Sequence, residues 1–196
     1  MSQQLSQIKV VLLGDEGVGK TSLLRQWTSN VYDPNTPSTI GGAAQIKRDM
    51  VNGQQYSFQI WDTAGAERYR ALAPLYARDS YAAMIVFDMT RRTSFDHLDD
   101  WVNFIHQHGD IPFILIGNKT DLTNKIEIPP EDATNYAFSV ESQFYETSAK
   151  LGINVDLAFR QLEITAIEYF QKKGTNEQAT LSIQSSNTTA DSRPCC

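Results

Sequence analysis

The first residues able to do chemistry stand close to the amino terminus. Gly14-Asp15-Glu16-Gly17-Val18-Gly19-Lys20-Thr21 follows the apolar run Ile8–Leu13 and precedes an apolar-periodic stretch, matching the pattern Gly-x4-Gly-Lys-Ser/Thr. Between a strand and a helix, such a loop turns its backbone N–H groups onto phosphate oxygens, and the helix N-terminus adds its dipole. Lys20 then neutralises the β- and γ-phosphates, and the Thr21 hydroxyl binds Mg2+. With Ser22, these residues form the candidate phosphate-binding set. Phosphate binding alone leaves an ATPase or a nucleotide kinase open.

The base is read from a second cluster, roughly 100 residues further on. Asn118-Lys119-Thr120-Asp121 ends the apolar run Phe113–Gly117. A carboxylate at Asp121 can accept two hydrogen bonds, from N1–H and the 2-amino group of guanine; adenine offers no such pair. Hydrogen bonds to a charged group are worth about 1.5–3 kcal/mol each, enough for two to decide between the bases. The Lys119 stem can cover one face of the ring while its head reaches back to the phosphate loop.

These clusters need a scaffold. Apolar residues make up 41% of the 196-residue chain, which supports a packed core. The formal net charge of −6 argues against nucleic acid as a partner. Met1–Gln7 is polar, so no leader peptide is expected, and no stretch has the ~20 apolar residues of a membrane span. The only two cysteines, Cys195 and Cys196, exclude a disulfide framework and suit a reducing compartment. Strands are expected at 8–13, 45–50, 55–60, 81–88, 112–117 and 143–145. Asn52-Gly53 joins the second and third as a hairpin. Helices are expected at 21–28, 94–108, 130–138 and 154–171. The expected fold is α/β: a P-loop three-layer sandwich with a six-stranded, mostly parallel sheet, one antiparallel edge strand and about five helices. Residues 1–173 read as one domain. Residues 174–196, rich in Ser, Thr, Asn and Gln, read as a flexible tail.

Taken together, the motifs resemble the Ras superfamily of small GTPases, and in particular its Rab branch. The resemblance is carried by GDEGVGKT at 14–21, STIG at 38–41, WDTAG at 61–65, NKTD at 118–121 and ETSAK at 146–150. The segment ERYRALAPLY at 67–76 is similar to Rabs of the endocytic pathway. The resemblance implies GTP and GDP as ligands with Mg2+. Thr39 would hold Mg2+ through its hydroxyl and the γ-phosphate through its N–H. Asp62 would hold Mg2+ through water, and the Gly65 N–H would meet the γ-phosphate. Tyr32 would pack edge-on against the base. Ser148, Ala149 and Lys150 would line the guanine pocket, the Ala149 N–H meeting the guanine O6. Lys20, Thr39, Gly65 and residue 66 would form the catalytic set. Segments 36–42 and 65–76 would be the switches, ordered together only by a γ-phosphate.

Three positions depart from the family pattern. Ala66 stands where the family has the water-orienting glutamine, and a methyl group makes no hydrogen bond. Glu16 puts a carboxylate in the phosphate loop, repelling a phosphate by roughly 3 kcal/mol at about 5 Å unless it points to solvent. Ala43-Ala44 replaces the large aromatic that Rabs place beside Trp61 and Tyr76 for effectors to read. Cys195-Cys196 resembles a double-geranylgeranyl signal, on a tail reaching roughly 25 Å. Two readings follow. One is a Rab-like GTP/GDP switch in vesicular traffic, with weak intrinsic hydrolysis, monomeric, cytoplasmic and reversibly on the cytosolic face of endomembranes such as endosomes. Its partners would be an exchange factor, a GTPase-activating protein, effectors at the switches, a prenylation escort and a GDP-dissociation inhibitor. The alternative is a non-hydrolysing, GTP-bound binding module recruiting effectors to a membrane.

Overall fold

A computed structural model of the chain describes residues 5–65 and 73–186. Six strands, β1 (Gln7–Leu13), β2 (Gly42–Val51), β3 (Gln54–Thr63), β4 (Ala82–Asp88), β5 (Phe113–Asn118) and β6 (Gln143–Glu146), form one sheet in the order β2-β3-β1-β4-β5-β6. Only β2 and β3 are antiparallel; the other four pairings are parallel. The antiparallel edge strand is therefore β2, as expected, and Asn52 and Gly53 turn the hairpin with φ of 51° and 79°.

Helices α1 (Lys20–Ser29), α2 (Ala73–Ala77), α3 (Arg92–Asp96), α4 (Leu98–His108), α5 (Pro130–Ser139) and α6 (Val155–Ser186) surround the sheet. Because β1 is buried on both faces, its side chains divide between two cores. Val10 and Leu12 join Leu23, Leu24, Trp27, Phe159 and Leu162, from α1 and α6. Val11 and Leu13 join Leu98, Trp101, Ile105, Ala133 and Ala137, from α4 and α5. Trp27 stacks on Phe159 with ring centres 4.2 Å apart, fixing α1 against α6.

Several boundaries differ from the sequence reading, for local reasons. The helix expected over 94–108 is one arm broken at His97 into α3 and α4, so the described residues carry five helical arms. A short 3-10 turn, Thr123–Lys125, also escaped the periodicity. Strand β2 begins at Gly42, because Gly42, Ala43 and Ala44 pair with Thr63, Asp62 and Trp61. Their own strand propensity is low, and the partner strand imposes the conformation. Helix α6 continues past Gln171 to Ser186, so residues 174–186, expected as the start of a flexible tail, are helical instead. Its apolar periodicity fades there, but no proline interrupts it, and extending a helix already packed through Phe159 and Leu162 costs little.

Candidate functional site

The sheet order reverses direction at β1, and the loops leaving the carboxyl ends of β1, β3, β4 and β5 converge there. One cleft is lined by Gly17, Gly19, Lys20, Thr21 and Ser22 of the phosphate loop and α1, by Tyr32, Thr36 and Thr39, by Gly65, and by Asn118, Lys119, Asp121, Ala149 and Lys150. Glu16 also lines it. Most residues singled out from sequence are thus brought together. Ser38 and Thr63, inside the STIG and WDTAG stretches, and Pro37, inside the 36–42 segment, line it as well, whereas Asp33, Pro34 and Leu122 line it without a motif signal of their own. Leu122 follows Asp121 directly, which is the one clue the sequence held.

At the phosphate end, Lys20 is only 5% exposed. Its ammonium donates to the carbonyls of Gly14 (2.8 Å) and Asp15 (2.9 Å), which closes the loop around it. Burial lowers its pKa to about 8, against the opposing pull of Asp62, Asp15 and Glu16. The Thr21 hydroxyl lies 2.6 Å from Asp62 Oδ2 and 2.7 Å from the Thr39 hydroxyl. Burial raises the pKa of Asp62, while Thr21 and Lys20 pull it down. Its second oxygen, Oδ1, is buried with no hydrogen-bond partner. Three hard oxygens, one of them an orphaned carboxylate oxygen, suit Mg2+, which takes few protein ligands and completes its shell with phosphate and water. Thr21, Thr39 and Asp62 would hold the ion there, and it would supply charge neutralisation to the phosphates.

Gly65 shows why a side chain is excluded at the end of β3. A Cβ there would meet the carbonyl carbon of Asp15 at 2.2 Å and the nitrogen of Glu16 at 2.4 Å. Gly19 is equally constrained: its φ is +103°, and a Cβ would meet Asn118 Nδ2 at 2.3 Å. Glu16 is exposed, and its backbone carbonyl accepts a 2.8 Å hydrogen bond from Arg91 Nη2. The Asp15 carboxylate leaves the cleft: Oδ1 accepts from Trp101 Nε1 (3.0 Å) and Oδ2 lies 2.7 Å from His97 Nδ1. His97 at the break between α3 and α4, and Trp101 in the first turns of α4, both face the loop. Gly14 and Val18 act through their carbonyls, on Lys20 and on Asn118 Nδ2 (2.9 Å).

At the base end, Asp121 Oδ1 accepts a 2.6 Å hydrogen bond from the buried Ser148 hydroxyl. Asn118 joins three segments: Nδ2 to Val18, and Oδ1 accepting from Ala149 N–H (3.1 Å) and the Thr147 hydroxyl (3.3 Å). The Ala149 N–H, at the cleft lining, donates to Asn118 Oδ1. One expectation changes here. The Lys119 head does not reach the phosphate loop but lies 2.6 Å from Asp88 Oδ2, because β4 ends in register with β5 and puts a carboxylate beside it. Tyr32 is 39% exposed at the cleft margin. Away from the cleft, Trp61 and Tyr76 pack with ring centres 5.2 Å apart and planes tilted by 32°, and the Trp61 indole N–H is buried with no partner. Gly42 lets the Tyr76 ring close in, since a Cβ there would meet it at 2.7 Å. Ala66, Cys195 and Cys196 lie outside the described residues.

With this geometry in place, comparison with known proteins is decisive. The Ras family profile matches residues 9–168. Mouse Rab-22A is 44% identical over 160 residues, covering 81% of this chain and 82% of that protein. Human Rab-31 is 38% identical over 194 residues, covering 98% of each, and RABA2a of Arabidopsis thaliana is 36% identical, covering 96% and 93%. The chain belongs to the Ras family, within its Rab-type small GTPases. It is a GTPase of the kind that resembles endocytic-branch Rabs, a group of GTP-binding proteins of vesicular transport. Ras-superfamily GTPases bind guanine nucleotide with Mg2+, and Rabs work with exchange factors, activating proteins, effectors and GDP-dissociation inhibitors. No helix among the described residues is long and apolar enough to cross a membrane.

Proposed function

We propose that this protein is a guanine-nucleotide switch of vesicular traffic, with slow intrinsic hydrolysis because Ala66 cannot orient the attacking water. The observation that carries the switch is the hydroxyl–carboxylate cluster of Thr21, Thr39 and Asp62, which joins the phosphate loop, the first switch and β3 at one point. Asp121, oriented by Ser148, selects guanine. Lys20 holds the β- and γ-phosphates, and the N–H groups of Thr39 and Gly65 respond to the γ-phosphate. Residues 1–173 form the switch domain. Residues 174–196 are the tether, lipidated at Cys195 and Cys196, which place the protein reversibly on the cytosolic face of endomembranes, endosomes first. Effectors read the switches beside Trp61 and Tyr76, with Ala44 leaving the third aromatic position empty.

The test is the nucleotide carried by the purified protein, followed by single-turnover GTP hydrolysis. Bound guanine nucleotide and a turnover below the ~10⁻⁴ s⁻¹ of an unaided family member are expected. Ala66→Gln should speed turnover about ten- to a hundredfold, the yield of restoring water positioning. Equal rates would remove residue 66 from the account. Ala66 and Glu16 together favour a second reading, a GTP-bound module that does not hydrolyse at all. Activating proteins that bring both an arginine and a glutamine separate the two: turnover with such a partner keeps the switch, and none supports the module. Serine at both cysteines should leave a soluble, nucleotide-binding protein; membrane pelleting at the original level would remove the lipid anchor.

A further inference from the structure

At the base end of the cleft, a buried carboxylate outside the motifs quoted above holds a motif lysine. Asp88 is the last residue of β4, in register with Asn118 of β5, and its side chain is 5% exposed. Oδ2 lies 2.6 Å from the Lys119 ammonium. Oδ1 accepts the Thr90 N–H at 2.9 Å and the Thr90 hydroxyl at 2.7 Å. The Asp88 N–H donates to the buried Ser94 hydroxyl at 3.0 Å, and the Met89 N–H donates to the Asn118 carbonyl at 3.0 Å. Both carboxylate oxygens are therefore committed, and the backbone on either side of them is pinned. Lys119 itself sits at φ +71°, so its backbone is fixed on the other side of the pair.

A free lysine side chain samples many rotamers, and ordering it at the moment of binding weakens the complex. A carboxylate fixed before the ligand arrives removes that cost. We propose that Asp88 is a positioning residue for nucleotide binding: it anchors the Lys119 ammonium at the cleft wall and lays the lysine stem out in advance as the surface for one face of the purine. The proposal rests on the guanine-nucleotide reading above. It concerns the base, which GDP and GTP share, so both ligands should feel it equally. It also acts only through Lys119, which separates it from a general role in holding β4.

The experiment is release of N-methylanthraniloyl-labelled GDP and GTP, chased by excess unlabelled nucleotide. It compares the full-length protein with Asp88→Asn, Lys119→Met and the double variant. Asp88→Asn should speed release of both nucleotides by about tenfold, the coupling expected of side chains in direct contact. In the Lys119→Met background the same change should alter release less than twofold. Unchanged or slower release overturns the proposal. So does a tenfold effect that persists without the lysine, since Asp88 would then be structural. If Asp88→Asn does not fold, Thr90→Val removes one of the hydrogen bonds orienting the carboxylate. It should speed release two- to fivefold, again only with Lys119 present; no effect overturns the proposal. An original chain that retains neither nucleotide overturns the functional reading itself, whereas one that retains both and is indifferent to Asp88 overturns only this inference.

Discussion

The two ends of the cleft are built differently. At the base end, hydrogen bonds of 2.6–3.1 Å join Ser148 to Asp121, Ala149 to Asn118 and Lys119 to Asp88, with Asp88 and Asn118 at buried strand ends. No motif residue there departs from the family pattern. At the phosphate end, Thr39 stands on a loop and Asp62 near the end of β3, and the departure Glu16 lines the cleft there. Binding the base asks for one fixed shape, whereas reporting on a γ-phosphate asks for parts that move. The end that must move is also the one where Glu16 departs from the family pattern.

The largest effect should come from the fixed end. Asp121→Asn replaces an acceptor with a donor and forfeits two charge-assisted hydrogen bonds, roughly 3–6 kcal/mol. GTP affinity should fall a hundredfold or more in competition titrations, with xanthosine triphosphate preferred instead. Retained GTP preference would break the comparison at its stronger side.

The turn end of the β2–β3 hairpin, whose other end carries Asp62 into the cleft, has a support that titrates. Glu163 of α6 is 3% exposed on its side chain, and Oε2 lies 3.0 Å from Arg160 Nη1. Arg160 also reaches Asp49 (3.5 Å) and the Met50 carbonyl (3.1 Å), bracing the β2–β3 hairpin. Burial, then the Asp49 carboxylate, pushes Glu163 from 4.5 up to about 7, while Arg160 and Lys47 oppose the shift. Because the folded pKa is the higher one, the native state holds the extra proton between these values, and stability falls as pH rises through that window. Urea unfolding under saturating GDP should show the protein losing up to about 3 kcal/mol from pH 4.5 to 7.5, with Glu163→Gln flatter. Parallel pH profiles would remove Glu163 from the brace.

A smaller change tests the approach of the second switch. In Gly65→Ala the new methyl group meets Asp15 backbone, so residue 65 must withdraw from the phosphate loop. Single-turnover hydrolysis should slow at least about tenfold, with GDP affinity changed much less. Equal losses for GDP would mean that Gly65 supports the whole cleft. The smallest effect belongs to Ser148→Ala, which deletes one hydrogen bond to Asp121. It should weaken GDP and GTP alike by about 1 kcal/mol, read as roughly fivefold faster release of both.

By itself, the sequence determined the chemistry and much of the scaffold. The phosphate loop, Asp121 and the Asn52-Gly53 hairpin depend on short-range spacing and backbone needs, which a linear reading captures. Strand β1 was legible because burial on two faces leaves an uninterrupted apolar run. The tertiary structure alone decided what brings distant polar groups together. Asp15 meets His97 and Trp101 only because the start of α4 faces the phosphate loop. Lys119 meets Asp88 only because β4 and β5 end in register. Gly42-Ala43-Ala44 becomes a strand only because Trp61–Thr63 offers it a ladder. Such contacts carry no periodicity, and their energy appears only when the folded sheet brings their partners within reach.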